Sequence, residues 1–77
     1  MALIRSFESK HMDRNSVHDE IKATYSVFRN ENKIFLQIDT YGRDTRDMPG
    51  KKSQSLQLDQ EGAKALYEIL KTEFGFE

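Results

Sequence analysis

The side chains of this sequence best suited to recognition chemistry are Phe28, Phe35 and Tyr41, set among Lys22, Ser53 and Ser55 on segments that alternate apolar and polar residues. Unpaired nucleic-acid bases gain about 1–3 kcal/mol each by stacking on such rings, while Lys and Arg follow the phosphates. The competing reading is that Phe28 and Phe35 pair with each other across a hairpin or bury in a homodimer, and composition alone favours it by roughly two to one, because aromatics exposed on small sheets commonly mark protein interfaces. Further cations come from Arg43, Arg46, Lys51 and Lys52. Residues 43–58 hold four basic and two acidic groups, a local +2, whereas residues 59–77 hold two basic and five acidic groups, a local −3. A basic rim beside an acidic helix fits this division, and so does a solvated loop of mixed charge.

Other constellations lack the spacing that their chemistry needs. Gly42 to Ser53 has the flavour of a phosphate loop, but seven residues separate Gly42 from Gly50 where that motif takes four, and a strand follows where a helix is needed. His11 and His18 with Asp13, Asp19 and Glu20 have no short ligand spacing, so solvated polar residues are favoured by roughly ten to one over a metal site. Ser53 or Ser55 with Asp39 and a distant His lacks an elbow or oxyanion-hole signature. Asp39, Asp44 and Asp47 are candidate Mg²⁺ ligands, but Arg43 and Arg46 interleave with them, which points to local ion pairing rather than a cation site. The chain is expected to be non-enzymatic, without metal, cofactor or small-molecule substrate.

The elements that must position the aromatic and basic residues follow from periodicity. Ile21, Ala23, Tyr25 and Val27 alternate with Lys22, Thr24, Ser26 and Phe28, the period of a strand with one buried face. Asn30-Glu31-Asn32 makes a turn, and Ile34, Leu36 and Ile38 alternate with Phe35, Gln37, Asp39 and Tyr41 in a second strand, giving an antiparallel hairpin. Gly42–Gly50 is an irregular loop, and residues 51–58 form a third strand with Leu56 and Leu58 on one side. Asp59 is placed to cap a helix whose apolar stripe is Ala63, Leu66, Tyr67, Leu70 and Phe74, with Gly75 as its left-handed stop and Phe76 folding back.

Residues 1–18 show no sustained periodicity and read as irregular or disordered, apart from a candidate short strand at Ala2–Phe7; residues 19–77 form one domain. His11-Met12 is what a common cloning site encodes, so a leader spanning residues 1–11 is one expectation. With 77 residues, 36% apolar and 32% charged, the chain has a thin core, and there is no cysteine for disulfides or Cys-based metal sites. No apolar run approaches a membrane span of roughly 18 residues, so a cytoplasmic protein without membrane contact is expected.

The stretch Lys33–Tyr41, the mixed-charge loop, and then Met48-Pro49-Gly50-Lys51-Lys52-Ser53-Gln54-Ser55-Leu56 leading to a helix resembles the positive-cofactor transcriptional coactivator family. The resemblance spans residues 20–74, and its specific piece is Pro49-Gly50-Lys51-Lys52. It implies a homodimer of curved antiparallel sheets binding melted or single-stranded DNA, with Lys51 and Lys52 on phosphates, Phe28 at a base-stacking position and Tyr41 nearby. The chain departs from that pattern at Asp39, where a basic residue is usual, at Gly42, where a Trp is usual, and at Ser53-Gln54 in place of Gly-Ile.

The expected architecture is therefore α+β, an antiparallel three- to four-stranded curved sheet with one C-terminal helix on one face, assembled as a homodimer. The uncovered face presents Lys22, Thr24, Ser26, Phe28, Phe35, Gln37, Tyr41, Lys51, Ser53, Ser55 and Gln57. Two functions compete for it. One is a single-stranded DNA or RNA module using Lys22, Phe28, Phe35, Tyr41, Arg43, Arg46, Lys51, Lys52, Ser53 and Ser55. The other is a homodimeric protein–protein interaction module using the same face or an exposed strand edge.

Overall fold

The computed structural model describes residues 1–42 and 52–77, with the backbone alone at 52 and 53. Its elements are β1 (Ala2–Ile4), β2 (Ala23–Asn30), β3 (Lys33–Tyr41), β4 (Lys52–Leu58) and α1 (Gln60–Phe74). The chain is α+β, with a four-stranded sheet in the order β1-β4-β3-β2 and one C-terminal helix.

The hairpin forms where the alternation places it. Phe28 pairs with Phe35, Ser26 with Gln37 and Thr24 with Asp39, so the polar and aromatic residues of β2 and β3 share one face. Glu31 (φ 52°) and Asn32 (φ 66°) make the two-residue turn, both left-handed, as a hairpin connection matching strand twist requires. β4 runs antiparallel to β3, pairing Ser55 with Asp39 and Gln57 with Gln37. Between Thr40↔Gln54 and Tyr41↔Lys52 the register shifts, because Ser53 is an extra residue on β4.

The fully antiparallel sheet expected from the sequence is not what forms. β1 pairs parallel with β4, Ala2 opposite Leu56 and Ile4 opposite Leu58, which makes the sheet mixed. Residues 5–22 join β1 to β2 without helix or strand, and a connection this long satisfies the length a parallel pair needs where a tight turn could not. β1 falls within the candidate short strand Ala2–Phe7 and ends at Ile4, three residues being too few to display a period.

The helix starts and stops on its caps. Gly62 N–H donates to Asp59 Oδ1 at 2.8 Å, and Gly75 takes the left-handed conformation at φ 74° and ψ 26°. Phe76 folds back as the cap geometry implies, its ring 5.5 Å from that of Phe74. Gly62 lies where α1 approaches β1: a side chain there would collide with the Ile4 carbonyl oxygen.

α1 packs over β3 and β4, and Leu58 between them is 4% exposed, the only buried hydrophobic side chain among the described residues. The helix does not cover the whole apolar face. Tyr25 and Val27 on β2 and Ile34 on β3 remain exposed, as do Tyr67 and Phe74 of the helix stripe.

Candidate binding face

The sheet face away from α1 is built from three strands. From β2 it takes Thr24, Ser26 and Phe28, from β3 Phe35, Gln37, Asp39 and Tyr41, and from β4 Ser55 and Gln57. The phenylalanines are not two separate platforms. Phe28 and Phe35 stack on each other with ring centroids 5.5 Å apart and planes inclined by 16°, so each turns one face to the other. Both are half-buried, which leaves a single composite aromatic surface at the hairpin end of the face.

Beside the rings runs a chain of side-chain hydrogen bonds across β4 and β3. Gln57 Nε2 donates to Gln37 Oε1 at 2.9 Å, and Gln37 Nε2 donates to the Asp39 carboxylate at 3.0 and 3.3 Å. From the other strand the Ser55 hydroxyl donates to Asp39 Oδ1 at 2.5 Å. Asp39 is only 6% exposed and Ser55 9%, the two buried polar residues of the described chain. A buried carboxylate is tolerated because donors converge on it, and every link in this chain points its donor toward the charge.

Tyr41 closes the far end of the face. Its hydroxyl lies 3.0 Å from Thr24 Oγ1 across β2 and β3, and its backbone N–H donates to the Lys22 carbonyl at 3.1 Å, which continues the hairpin ladder one step beyond β2. Lys22 is exposed there.

Of the residues singled out from sequence, the structure therefore brings Phe28, Phe35, Tyr41 and Ser55 onto one face, with Lys22 at its end. Ser55 is not a surface hydroxyl, being buried and engaged with Asp39. Lys52 and Ser53 belong to β4, with Lys52 in register with Tyr41. Arg43, Arg46 and Lys51 lie outside the described residues. His11 Nε2 lies 2.9 Å from Asp13 Oδ1, with both side chains almost fully exposed.

Asp39 is the residue whose role the sequence did not disclose. It reads there as a misplaced charge on a recognition face; in the fold it is the common acceptor of the network. The available signal was the pair Gln37-x-Asp39 and Ser55-x-Gln57, which become neighbours only once the β3–β4 register is set.

Fold and site together define a small α+β domain with an aromatic and amide-rich sheet face. No family model matches the chain, and neither a curated protein nor a solved structure matches it. Among the described residues, no helix is long and apolar enough to cross a membrane.

Proposed function

We propose that this chain acts in the cytoplasm as a homodimeric, non-enzymatic module that binds single-stranded DNA or RNA. The observation that carries the reading is the Phe28–Phe35 stack lying on the same face as the Gln37–Gln57 amide pair and Tyr41. A base can stack on the outward side of the ring pair, while amide and hydroxyl groups beside it meet base edges. Lys22, Arg43, Arg46, Lys51 and Lys52 are the cations assigned to the phosphates, with Ser53 contributing a hydroxyl. Asp39 is 6% exposed and accepts hydrogen bonds from Gln37 and Ser55, which share its charge. A distant relationship to the positive-cofactor coactivators is part of this proposal, although the parallel β1 departs from the antiparallel sheet which that resemblance implies.

The test is fluorescence anisotropy of a labelled single strand against a matched duplex across a salt series. Single-strand preference with a log–log slope of about −0.7 per phosphate neutralised is expected. A folded protein that binds neither oligonucleotide at low salt would sink the reading.

A second reading, a protein–protein interaction module, is favoured by a specific observation on the opposite face. Tyr25 is 76% exposed, Val27 60% and Ile34 50%. Ile34 lines a groove of about 480 Å³ with Leu36, Leu58, Ala63 and Tyr67, to which Asp59, Gln60 and Lys64 add polar walls, and Val27 pairs with Leu36 on the neighbouring strand. Its discriminating experiment is Val27→Asp, which should abolish partner capture in this reading and leave anisotropy with single strands unchanged.

A further inference from the structure

The contacts of β1 are those of a ligand in a groove, held to the rest of the chain by a long connection. Its three residues lie along the free edge of β4. The Ile4 carbonyl fits against the bare Cα of Gly62 on α1. Arg5 Nε lies 2.9 Å from Asp59 Oδ2, while Asp59 Oδ1 caps the helix, so one carboxylate both starts α1 and receives the end of β1. The acceptor groove is thus formed by β4, Gly62 and Asp59.

Residues 5–22, which follow, are all exposed and form no helix or strand. Connections above about 12–15 residues without secondary structure are uncommon inside compact domains. Fully extended, this one reaches about 60 Å, beyond the longest dimension of the molecule, 39 Å. β1 can therefore reach the β4 edge of an adjacent copy as well as its own.

We propose that β1 is an exchangeable strand: in the homodimer, residues 2–5 of one copy occupy the β4–Gly62–Asp59 groove of the other. The occupant is a second copy because the contacts are then the same in either chain, and exchange costs only a difference in connection entropy. In a lone chain the connection supplies an effective concentration in the millimolar range, which favours closure on its own groove. Within a dimer held at another surface, the neighbour's β1 is present at a comparable concentration, and exchange hydrogen-bonds a strand of each copy into the other's sheet. The proposal rests on the homodimer in the proposed function and is independent of what the polar face binds, so its test contains no nucleic acid.

The experiment uses the intact chain. One batch is labelled with ¹³C and ¹⁵N and the other is unlabelled; the two are mixed at equal concentration, unfolded and refolded together, and isotope-filtered NOEs are recorded. Cross-peaks between labelled Ile4 and unlabelled Leu58 are expected. If a folded dimer shows Ile4–Leu58 contacts only within one chain, exchange is overturned. If the chain remains monomeric, the homodimer fails as well, and sedimentation of the same sample reports that separately. A complementation pair gives a second reading. Gly62→Ala blocks the acceptor while favouring helix, and Ile4→Asp disables the donor. Residues 2–4 of labelled Gly62→Ala should recover strand chemical shifts when unlabelled Ile4→Asp is added; retention of coil shifts in that mixture, with both variants folded, counts against exchange.

Discussion

The Ser55 hydroxyl donates to the Asp39 carboxylate across β4 and β3, beneath the face that carries the aromatic pair. Because both residues are buried, this bond contributes to stability as well as to site shape. Ser55→Ala should cost about 1.5–3 kcal/mol, the range for hydrogen bonds to charged groups. Asp39→Ala should cost more, since Ser55 and Gln37 both lose their acceptor. Urea denaturation of the two variants checks the order, and an Asp39→Ala variant as stable as wild type would contradict the role assigned to the network.

Asp59 performs two tasks that substitution separates. Asp59→Asn retains an oxygen for the Gly62 N–H and loses only the partly exposed pair with Arg5, a change of about 0–1 kcal/mol. Asp59→Ala removes the cap as well and should cost about 1 kcal/mol more. Thermal melts check this order, and equal losses for the two variants would show that the ion pair, which both lose, carries the effect and the cap contributes nothing.

The hairpin turn holds two non-glycine residues in the left-handed region, Glu31 and Asn32. The double substitution Glu31→Asn with Asn32→Gly supplies the Asn-Gly pair that such turns favour. A gain of about 0.5–1 kcal/mol is expected, within the usual range for turn and loop optimisation. A decrease in melting temperature would show that Glu31 has a compensating contact.

The stacked pair Phe28–Phe35 should show coupling of about 0.5–1.5 kcal/mol in a double-mutant cycle on stability. In the proposed function, Phe28→Ala also weakens single-strand binding at every salt concentration, whereas Lys52→Ala lowers the salt slope. A Phe28→Ala variant that binds like wild type would remove the stacking assignment while leaving the coupling intact.

Gly75 takes a left-handed angle with open space around its Cα. Gly75→Ala therefore meets only backbone strain, and a loss of about 1 kcal/mol is expected in a chemical denaturation curve.

What the sequence determined by itself is what short-range physics controls. The alternation at 21–28 and 34–41 assigned Phe28, Phe35, Gln37 and Tyr41 to one side of a hairpin, because successive strand side chains must point to opposite faces. Asp59 and Gly75 marked the ends of α1 because a cap needs only its own neighbours.

Tertiary structure alone decided relations between residues far apart in the chain. β1 lies parallel beside β4 because a free strand edge, the bare Cα of Gly62 and the Asp59 carboxylate come together there, and none of these is local to Ala2–Ile4. The pairing of Phe28 with Phe35 across the hairpin is one of the two readings open from sequence, whereas Asp39 becomes a buried acceptor only after the β3–β4 register brings Ser55 within reach. The helix stripe matched the apolar sheet face in pattern, but where α1 settles on it leaves Tyr25 and Val27 uncovered. A hydrophobic period specifies which side of an element turns inward; how much of that side is covered depends on where the neighbouring element comes to rest.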